Sequence, residues 1–278
     1  MSERIGQAVR HRSFLAGGLL FGGVLTMAAL SLVWTPYAPT AIDVRHRLAA
    51  PSAAHWLGTD PFGRDVFSQL IAGAQNSITV GLLAVGIGLA IGSALGLLAA
   101  ARRGWIEELV MRAADFTYAF PAVLSAIMFA AILGPNAVNS VIAIAIFNIP
   151  VFARIVRASA NAIWSRDYIL AARSAGKGGL RITIEHVLPN ILAIILVQAT
   201  VQFALAILAE AALSYLGLGT QPPTPSWGRM LNDAQSYVFR APLLTIFPGC
   251  AIAIAVLGLN LLGDGLRDLT DPRLTRRR

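Results

Sequence analysis

The feature that most constrains this chain is a series of long apolar stretches that are nearly free of charged residues. They cover residues 14–34, 77–101, 116–152, 188–212 and 242–262. About 20 apolar residues in a helix match the ~30 Å hydrocarbon thickness of a bilayer. Because every backbone polar group in lipid needs an internal partner, only helices or a closed barrel can span it. The stretches are continuous and do not alternate within segments of about 10 residues, which favours helices.

Composition and one turn signal complete the count of spans. Of 278 residues, 56% are hydrophobic and only 13% are charged, whereas a soluble domain is about 25% charged. A Gly-Pro-Asn turn signal at residues 134–136 divides the longest stretch into spans at 116–133 and 138–157. The first stretch is longer than the apolar region of a signal peptide, which favours an uncleaved anchor. The sequence therefore predicts an all-α polytopic membrane protein with six transmembrane helices.

The distribution of basic residues predicts the orientation of these spans. Of the 22 Lys and Arg residues, 17 lie in the two termini and the segments on their side, and 5 lie in the opposite loops. Cytoplasmic loops carry an excess of Lys and Arg, so both termini are predicted to be cytoplasmic. The net charge of +8 is thereby interpreted as a topology signal, and no nucleic-acid partner is expected.

The predicted layout has five parts along the chain. They are a cytoplasmic tail (1–13), a first transmembrane helix (14–34), an extracytoplasmic loop (35–76), a transmembrane core (77–263) and a basic cytoplasmic tail (264–278). The core includes a short cytoplasmic helix within residues 165–180 and a second extracytoplasmic loop at residues 213–240.

One polar segment interrupts the core, and we call residues 165–190 the central polar segment. Ser165 or Asp167 is placed to cap a helix over residues 166–175, and Gly176 stands where a helix ends with positive φ. At ~1.5 Å per residue such a helix is about 15 Å long, too short to cross a bilayer. One side of this helix is predicted to be a small-residue face of Ala171, Ala172 and Ala175, with a charged rim of Arg166, Arg173, Lys177 and Arg181. The pattern fits either a docking knob for a soluble partner or a solvated loop.

The central polar segment resembles the cytoplasmic signature of the permease subunits of binding-protein-dependent ABC importers, E-A-A-x3-G-x9-I-x-L-P. The matching residues are Ala171, Ala172, Gly176, Leu188 and Pro189. Leu170 stands where the family has Glu, and His186 stands where it has Ile.

Three further stretches extend the resemblance to roughly residues 55–275. "LGTDPFGRDVFSQLIAGAQNSITVGLLAV", "EAALSYLGLGTQPPTPSWGRML" and "NLLGDGLRDLTDPRL" resemble the C-type permease of the dipeptide, oligopeptide and nickel importer group. The resemblance implies a type I ABC importer permease fold in the bacterial inner membrane. It also implies a second homologous permease, two cytoplasmic ATPase subunits and an extracytoplasmic substrate-binding protein as partners.

The resemblance further implies that the central polar segment is a coupling helix seated in a cleft of the ATPase. The residues to which it assigns this role are Asp167, Ala171, Ala172, Gly176, Lys177, His186, Leu188 and Pro189. ATP-driven closure of the ATPase pair would reach the spans through this helix and shift the inward-open and outward-open states.

The chain is expected to have no ATPase site of its own. It lacks the phosphate-binding motif G-x-x-x-x-G-K-[ST], since Gly176-Lys177 is followed by Gly178. We therefore expect no cofactor in this chain, with ATP and Mg²⁺ bound by the partner subunits, and we expect a transport subunit rather than an enzyme.

Four polar residues within the spans are candidates for the substrate pathway. Asn148, Gln198 and Gln202 either line a polar path for a peptide-like solute or make hydrogen bonds between helices. Glu210, at the outer end of the fifth span, either gates the outer mouth or bonds to the Pro-rich loop that follows.

The loop at residues 213–240 is predicted to fold over the outer entrance and to meet the binding protein. Its candidate contact residues are Trp227 and Arg229, and Ser226 is placed to cap a short helix there. The sequence leaves open which solute is carried, whether a dipeptide, an oligopeptide, a nickel chelate or another compound.

The residues of the spans disfavour two other functions. A secondary transporter or channel usually keeps a charged group near mid-membrane, whereas Glu210 and Asp264 lie near span ends. An intramembrane enzyme would need clustered titratable groups. His46 and His55 lack a third ligand, so no metal is expected, and the single cysteine, Cys250, fits a small buried apolar side chain.

Overall fold

The computed structural model describes residues 12–270, and its regular structure is helical, with long loops at residues 31–65 and 216–226. Ten α-helices, and no β-strand, occur among these residues. The helices are α1 (Arg12–Leu30), α2 (Val66–Arg102), α3 (Trp105–Tyr118), α4 (Ala122–Leu133), α5 (Ala137–Trp164), α6 (Asp167–Ser174), α7 (Gly179–Ile182), α8 (Leu188–Tyr215), α9 (Trp227–Ala234) and α10 (Leu243–Thr270). The predicted all-α fold class is confirmed.

Five helical stretches are long and apolar enough to cross a membrane. They are α1, α2, α5, α10 and the stretch Gly179–Tyr215, in which a π-helical turn at Thr183–Val187 joins α7 to α8. A shorter apolar helix, Leu124–Leu133, lies where the third span was predicted. The chain is thus a multi-pass membrane protein. Of the predicted tails, residues 1–11 and 271–278 lie outside the described residues, and residues 264–270 continue α10.

The third predicted span differs from a single continuous helix. A break between Tyr118 and Ala122 divides it into α3 and α4. Pro121 lies in this break and has an extended backbone, with a ψ of 124°. Proline lacks a backbone N–H and disfavours the helical conformation in the residue before it. The apolar part of α4 is therefore about 15 Å long, half the thickness of the hydrocarbon core.

Two polar pairs tie α3 to α5. Arg157 donates from Nε to Glu107 at 2.6 Å, and Arg154 pairs with Asp115. The bond from Arg157 holds the pKa of the Glu107 carboxyl below its usual value, so this carboxyl stays charged at a lower pH than a free glutamate. These pairs fix the position of the α3–α4 break relative to α5.

The second span begins earlier than its apolar stretch does. Asp65 caps α2 by accepting a hydrogen bond from the backbone N–H of Ser68 at 2.8 Å. The helix then runs for 37 residues, about 55 Å, which exceeds the length that a bilayer requires. Its first turns therefore continue beyond the membrane toward the outer loops.

The contact between α2 and α5 is made through glycines at four-residue intervals. A Cβ added at Gly88 would overlap Asn148, one at Gly92 would overlap the backbone oxygen of Ile149, and one at Gly96 would lie 2.6 Å from the oxygen of Ala153. Only residues without a side chain allow this approach. These three glycines therefore form the surface of α2 that packs against α5.

The first and last spans pack together in the same way. Added Cβ atoms at Gly258 and Gly265 of α10 would lie within 2.8 Å of backbone atoms of Phe21 and Phe14 in α1. The buried side chains Phe21 and Val24 extend this contact into the main apolar cluster. Helix α1 is thereby held against the core rather than lying apart from it.

A single methyl group tests the α2–α5 contact. Gly92→Ala should destabilise the protein by about 1–3 kcal/mol, because its Cβ would overlap the backbone of α5. Gly86→Ala is the matched control, since a Cβ at this position of the same helix meets nothing within 4 Å. The midpoint of thermal unfolding in detergent measures both. Equal midpoints for the two variants would contradict the contact.

Candidate functional sites

Helix α6 of the central polar segment is anchored to the spans by one buried side chain. Ile169 is fully buried and packs in a cluster with Ile182 and Val187, and with Trp164 at the end of α5. Ile191, in the first turn of α8, belongs to the same cluster. Since the cluster joins α5, α6 and α8, the short helix is part of the rigid bundle rather than a free loop.

The end of α6 has the hydrogen bonding of a Schellman motif. Gly176 has a φ of 81°, and its N–H donates to the carbonyl of Arg173 at 2.9 Å. The N–H of Lys177 donates to the carbonyl of Ala172 at 3.1 Å. Glycine adopts positive φ without steric cost, so the predicted stop at Gly176 is confirmed. At the other end, neither Ser165 nor Asp167 caps the helix, because the N-cap is Arg166 without a side-chain bond.

The exposed face of α6 differs from the predicted face of three alanines. Ile169 and the half-buried Ala172 turn toward the core, so Ala172 is a packing residue within this chain. The opposite face is exposed and carries four residues: Asp167, Leu170, Ala171 and Ser174. Leu170 is 56% exposed. A surface facing a partner at this helix would therefore contain a leucine beside the small Ala171.

A cluster of charged side chains holds the π-helical turn next to α6. Lys177 donates to Glu185 at 2.5 Å and lies 3.1 Å from Nε2 of His186, and Arg181 donates to Glu185 at 2.6 Å. The ring of His186 also meets the ring of Tyr168 edge-on. His186 thus connects α6 to the turn before α8.

The last two residues assigned to coupling lie where α8 begins. Leu188 packs partly buried against the cluster around Ile169, and Pro189 is exposed in the first turn of α8. Proline fits this position because the first turn of a helix does not use its backbone N–H groups. The structure thus brings all eight residues assigned to coupling into one region.

A cavity of about 440 Å³ lies between α5, α8 and the α3–α4 break. Asn148 of α5 and Gln202 of α8 line it, together with Pro121 at the break. Gln198 and Glu210 are not among its lining residues. Two of the four predicted pathway residues therefore share one cavity, and the other two lie elsewhere on α8.

Glu210 is fully buried and binds the outer loop. Its carboxylate accepts hydrogen bonds from the hydroxyls of Ser77 at 2.9 Å and Ser214 at 2.7 Å. Ser214 in turn accepts from the N–H of Thr220 at 3.0 Å. Of the two alternatives left open, this geometry favours the bond to the Pro-rich loop, because Glu210 ties α2, α8 and that loop together.

Trp227 is a packing residue, which corrects its predicted role as a contact for a soluble partner. The indole is fully buried, and its Nε1 donates to the carbonyl of Leu70 at 3.0 Å. A large apolar ring with one N–H is most stable when the ring is buried and the N–H is paired. The predicted cap of the same helix is confirmed, since Ser226 accepts from the N–H of Arg229.

Arg229 is partly exposed and belongs to an ion-pair network of the outer loops. It pairs with Asp233 at 2.7 Å, and Asp233 also pairs with Arg64 at 2.9 Å. Arg64 lies 2.5 Å from Asp60. The Arg64–Asp233 pair joins the two outer loops, whereas the Arg229–Asp233 pair lies within α9 and orients Asp233.

The two histidines of the first outer loop pair with carboxylates. His46 lies 2.7 Å from Asp43, and His55 lies 2.9 Å from Asp65, the cap of α2. Within residues 12–270 there is no group of three or more His, Cys, Asp or Glu side chains placed to hold a metal ion. The two histidines therefore stabilise the loop through these pairs. The single cysteine, Cys250, is exposed on α10 and not buried as predicted.

Sequence reasoning missed several of the residues that build these sites. Ser77 and Thr220 gave no local signal, because their partner Glu210 is distant in the chain or across a turn. Pro121 did give one, since proline disfavours the helical conformation in the residue before it. The cavity depends on that break, because its wall includes Tyr118, Phe120 and Pro121.

Comparison with known proteins agrees with this geometry. Residues 92–276 match the family described as binding-protein-dependent transport system inner membrane component. The chain is 42% identical, over 98% of its length and 90% of the relative, to a dipeptide transport system permease protein, DppC, of Alkalihalophilus pseudofirmus. It is 45% identical, over 96% of its length and 91% of the relative, to a di/tripeptide transport system permease protein, DppC, of Pseudomonas aeruginosa.

The chain is also similar to a glutathione permease in sequence and to a solved methionine transporter in fold. A glutathione transport system permease protein, GsiD, of Pectobacterium atrosepticum is 42% identical over 96% of this chain and 89% of the relative. Among solved structures, an inward-facing MetNI methionine ABC transporter chain superposes with a TM-score of 0.58 at 17% identity. The match covers 73% of this chain and 97% of that one, and it shows the type I importer fold.

The positive φ of Gly176 can be tested with a pair of glycines. Gly176→Ala should weaken the end of α6 by about 1–2 kcal/mol, because an alanine is strained at φ 81°. We expect amide hydrogen exchange at residues 174–177 to become roughly 5- to 30-fold faster. Gly178→Ala is the control, since Gly178 has a φ of −70° and open space around it. Unchanged exchange in Gly176→Ala would contradict the assigned motif.

The Glu210 network predicts a difference between two carboxylates. Glu210→Ala should destabilise the protein by about 1–3 kcal/mol, because it leaves the buried hydroxyls of Ser77 and Ser214 without an acceptor. Glu108→Ala removes an exposed carboxylate paired with Arg112 and should cost at most about 1 kcal/mol. Thermal unfolding in detergent compares them. A smaller loss for Glu210→Ala than for Glu108→Ala would show that the network does not hold the loop.

Proposed function

Since the chain belongs to the family of binding-protein-dependent transport system inner membrane components, we propose that it is the permease through which an ATP-driven importer moves small peptides. The observation that carries the proposal is the 42–45% identity to dipeptide, di/tripeptide and glutathione permeases over at least 95% of the chain. Such coverage includes both the cavity and the central polar segment. Dipeptides, tripeptides and glutathione share a short peptide backbone, which is the substrate class proposed here.

The chain is an inner membrane component of a transport system, and we propose that it hydrolyses no ATP itself. We propose that two ATPase subunits with bound ATP and Mg²⁺ act from the cytoplasm. An extracytoplasmic binding protein would deliver the peptide, and a second homologous permease would complete the pathway. The bacterial inner membrane is the proposed location. Both termini are proposed to be cytoplasmic, because 17 of the 22 Lys and Arg residues lie on that side.

The central polar segment is proposed to couple ATPase closure to movement of the spans. Its exposed face, with Leu170 and Ala171, would enter a cleft of the ATPase. The buried Ile169 connects this face to α5 and α8. Because the cluster is close-packed, a displacement of α6 moves the ends of both spans rather than being absorbed by a loop. Coupling then follows if the ATPase contacts α6 differently in its open and closed states.

The cavity is proposed to be this subunit's half of the translocation pathway. It lies on α5 and α8, and the cluster around α6 lies at the end of α5 and the start of α8. Rotation of these helices would open the cavity alternately to each side of the membrane. The loop that Glu210 holds is proposed to cover the outer end of this pathway, so that Glu210 acts at the outer mouth through the loop.

Substitution on the exposed face of α6 tests the proposed function. In proteoliposomes with the ATPase subunits, the second permease and loaded binding protein, the wild type should take up dialanine only when ATP is present. Ala171→Glu should reduce this uptake at least about 10-fold, because a charge replaces a methyl group at the proposed docking face. The subunit should still insert and unfold at the wild-type temperature.

Ala162→Glu is the control for this experiment, because Ala162 is another exposed alanine near the end of α5, outside α6. It should retain uptake. Normal uptake by Ala171→Glu would contradict the coupling role, whereas uptake by the wild type without ATP or without ATPase subunits would contradict the importer itself. Ala172→Glu is a poorer probe, because it would place a charge against the apolar cluster and destabilise the subunit.

A further inference from the structure

The wall of the cavity combines an apolar surface with a few uncharged polar groups. None of its lining residues, all of which lie between 118 and 213, carries a charged side chain. The polar lining side chains are Tyr118, Asn148 and Gln202. The volume of about 440 Å³ lies within the range of roughly 300–1,000 Å³ that is typical of small-molecule sites. A cavity of this size and character is suited to an uncharged polar ligand group.

The two amide side chains are buried but incompletely hydrogen-bonded. Asn148 is 6% exposed and Gln202 is 7% exposed. Asn148 donates from Nδ2 to the carbonyl of Ile144 at 2.9 Å, within its own helix. Among the described residues, Oδ1 of Asn148 and the carboxamide of Gln202 have no hydrogen-bonding partner. Neither carboxamide is among the fully enclosed polar groups that lack a partner, and both line the cavity, so a ligand in the cavity can reach them and form the missing hydrogen bonds.

The position of Asn148 is set by close packing. Its Cβ lies against Gly88 of α2, where a larger residue would displace it. Gln202 extends from α8, which packs directly against α5. Both groups are therefore held on rigid helices, as a recognition site requires.

We propose that Asn148 and Gln202 form a subsite for the backbone amide of the transported peptide. This inference rests on the proposed function and adds the group that the pathway recognises. Oδ1 of Asn148 accepts the peptide N–H, and the carboxamide of Gln202 supplies both a donor and an acceptor for a peptide unit. The apolar wall takes side chains of varied shape.

The absence of charge from this wall keeps the subsite weak. A charged terminus or side chain of the peptide finds no counter-ion among the lining residues, so binding comes from about two or three neutral hydrogen bonds. Conduction requires binding strong enough for entry and weak enough for exit. A neutral amide subsite meets this requirement for peptides of different sequence, because every peptide has the same backbone.

The experiment compares two glutamines one turn apart on α8. Gln202→Leu removes the amide that faces the cavity, whereas Gln198→Leu removes an amide that does not line it. In the reconstituted complex with saturating loaded binding protein, the number of dialanine molecules imported per ATP hydrolysed should fall about 3- to 10-fold for Gln202→Leu. It should remain within about 2-fold of the wild type for Gln198→Leu.

A second probe identifies the recognised group. Dialanine methylated at its peptide nitrogen keeps the charged termini but carries one added methyl group in place of the N–H. Calorimetry measures the affinity of the binding protein for each peptide, and the peptide concentrations are chosen so that the same fraction of binding protein is loaded with each. The wild type should import dialanine about 3- to 10-fold better per ATP than the methylated peptide. Asn148→Ala, which keeps the Cβ beside Gly88, should abolish this preference.

The possible outcomes distinguish a failure of the subsite from a failure of the proposed importer function. Equal import by Gln202→Leu and Gln198→Leu, or an unchanged preference in Asn148→Ala, would overturn the subsite while leaving the peptide importer intact. If Gln202→Leu instead dissociates the two permeases during gel filtration, the amide binds the second permease, and the subsite is also overturned. Failure of the wild type to import any peptide with ATP would overturn the proposed function itself. Thermal unfolding and ATP hydrolysis of each variant establish that the complex is assembled.

Discussion

The close approach of α2 and α5 is the contact on which the rest of the structure depends. Three glycines of α2 lie against the backbone of α5, and a methyl group at any of them would force the helices apart. This contact sets the position of Asn148 at the cavity and of Trp164 at the end of α5. In a bilayer no hydrophobic effect drives helices together, so close packing of small residues is a main source of their association. A slightly wider contact would displace both sites at once.

Helices α5 and α8 connect the parts of the molecule that act in transport. The end of α5 and the start of α8 meet at the cluster around Ile169, and both helices then line the cavity. At its far end α8 carries Glu210, which binds the outer loop through Ser77 and Ser214. One continuous helix therefore extends from the proposed ATPase contact to the outer mouth. A rigid-body movement of such helices needs no separate relay between the two sides of the membrane.

The parts of the site that the sequence predicted correctly depend on near neighbours in the chain. The stop at Gly176 follows from a glycine at the end of a short helical pattern, and the cap at Ser226 follows from a serine just before another. The break before Pro121 has an equally local cause. The predicted contact of Trp227 with a soluble partner fails for a different reason, since its buried indole binds the carbonyl of Leu70, 157 residues earlier. No local pattern indicates that partner.

The sequence by itself determined that this chain is a helical membrane protein, where most of its spans lie, and which segment leaves the membrane between them. These properties depend on hydrophobic length and on turn residues, which act within one or two helical turns. Only the tertiary structure decided that Ala172 faces inward, that Glu210 binds the outer loop, and that Asn148 and Gln202 share a cavity without Gln198. Those facts depend on how helices that are distant in the chain are rotated and packed against one another. Hydropathy measures only how apolar each stretch is, so it does not specify this rotation.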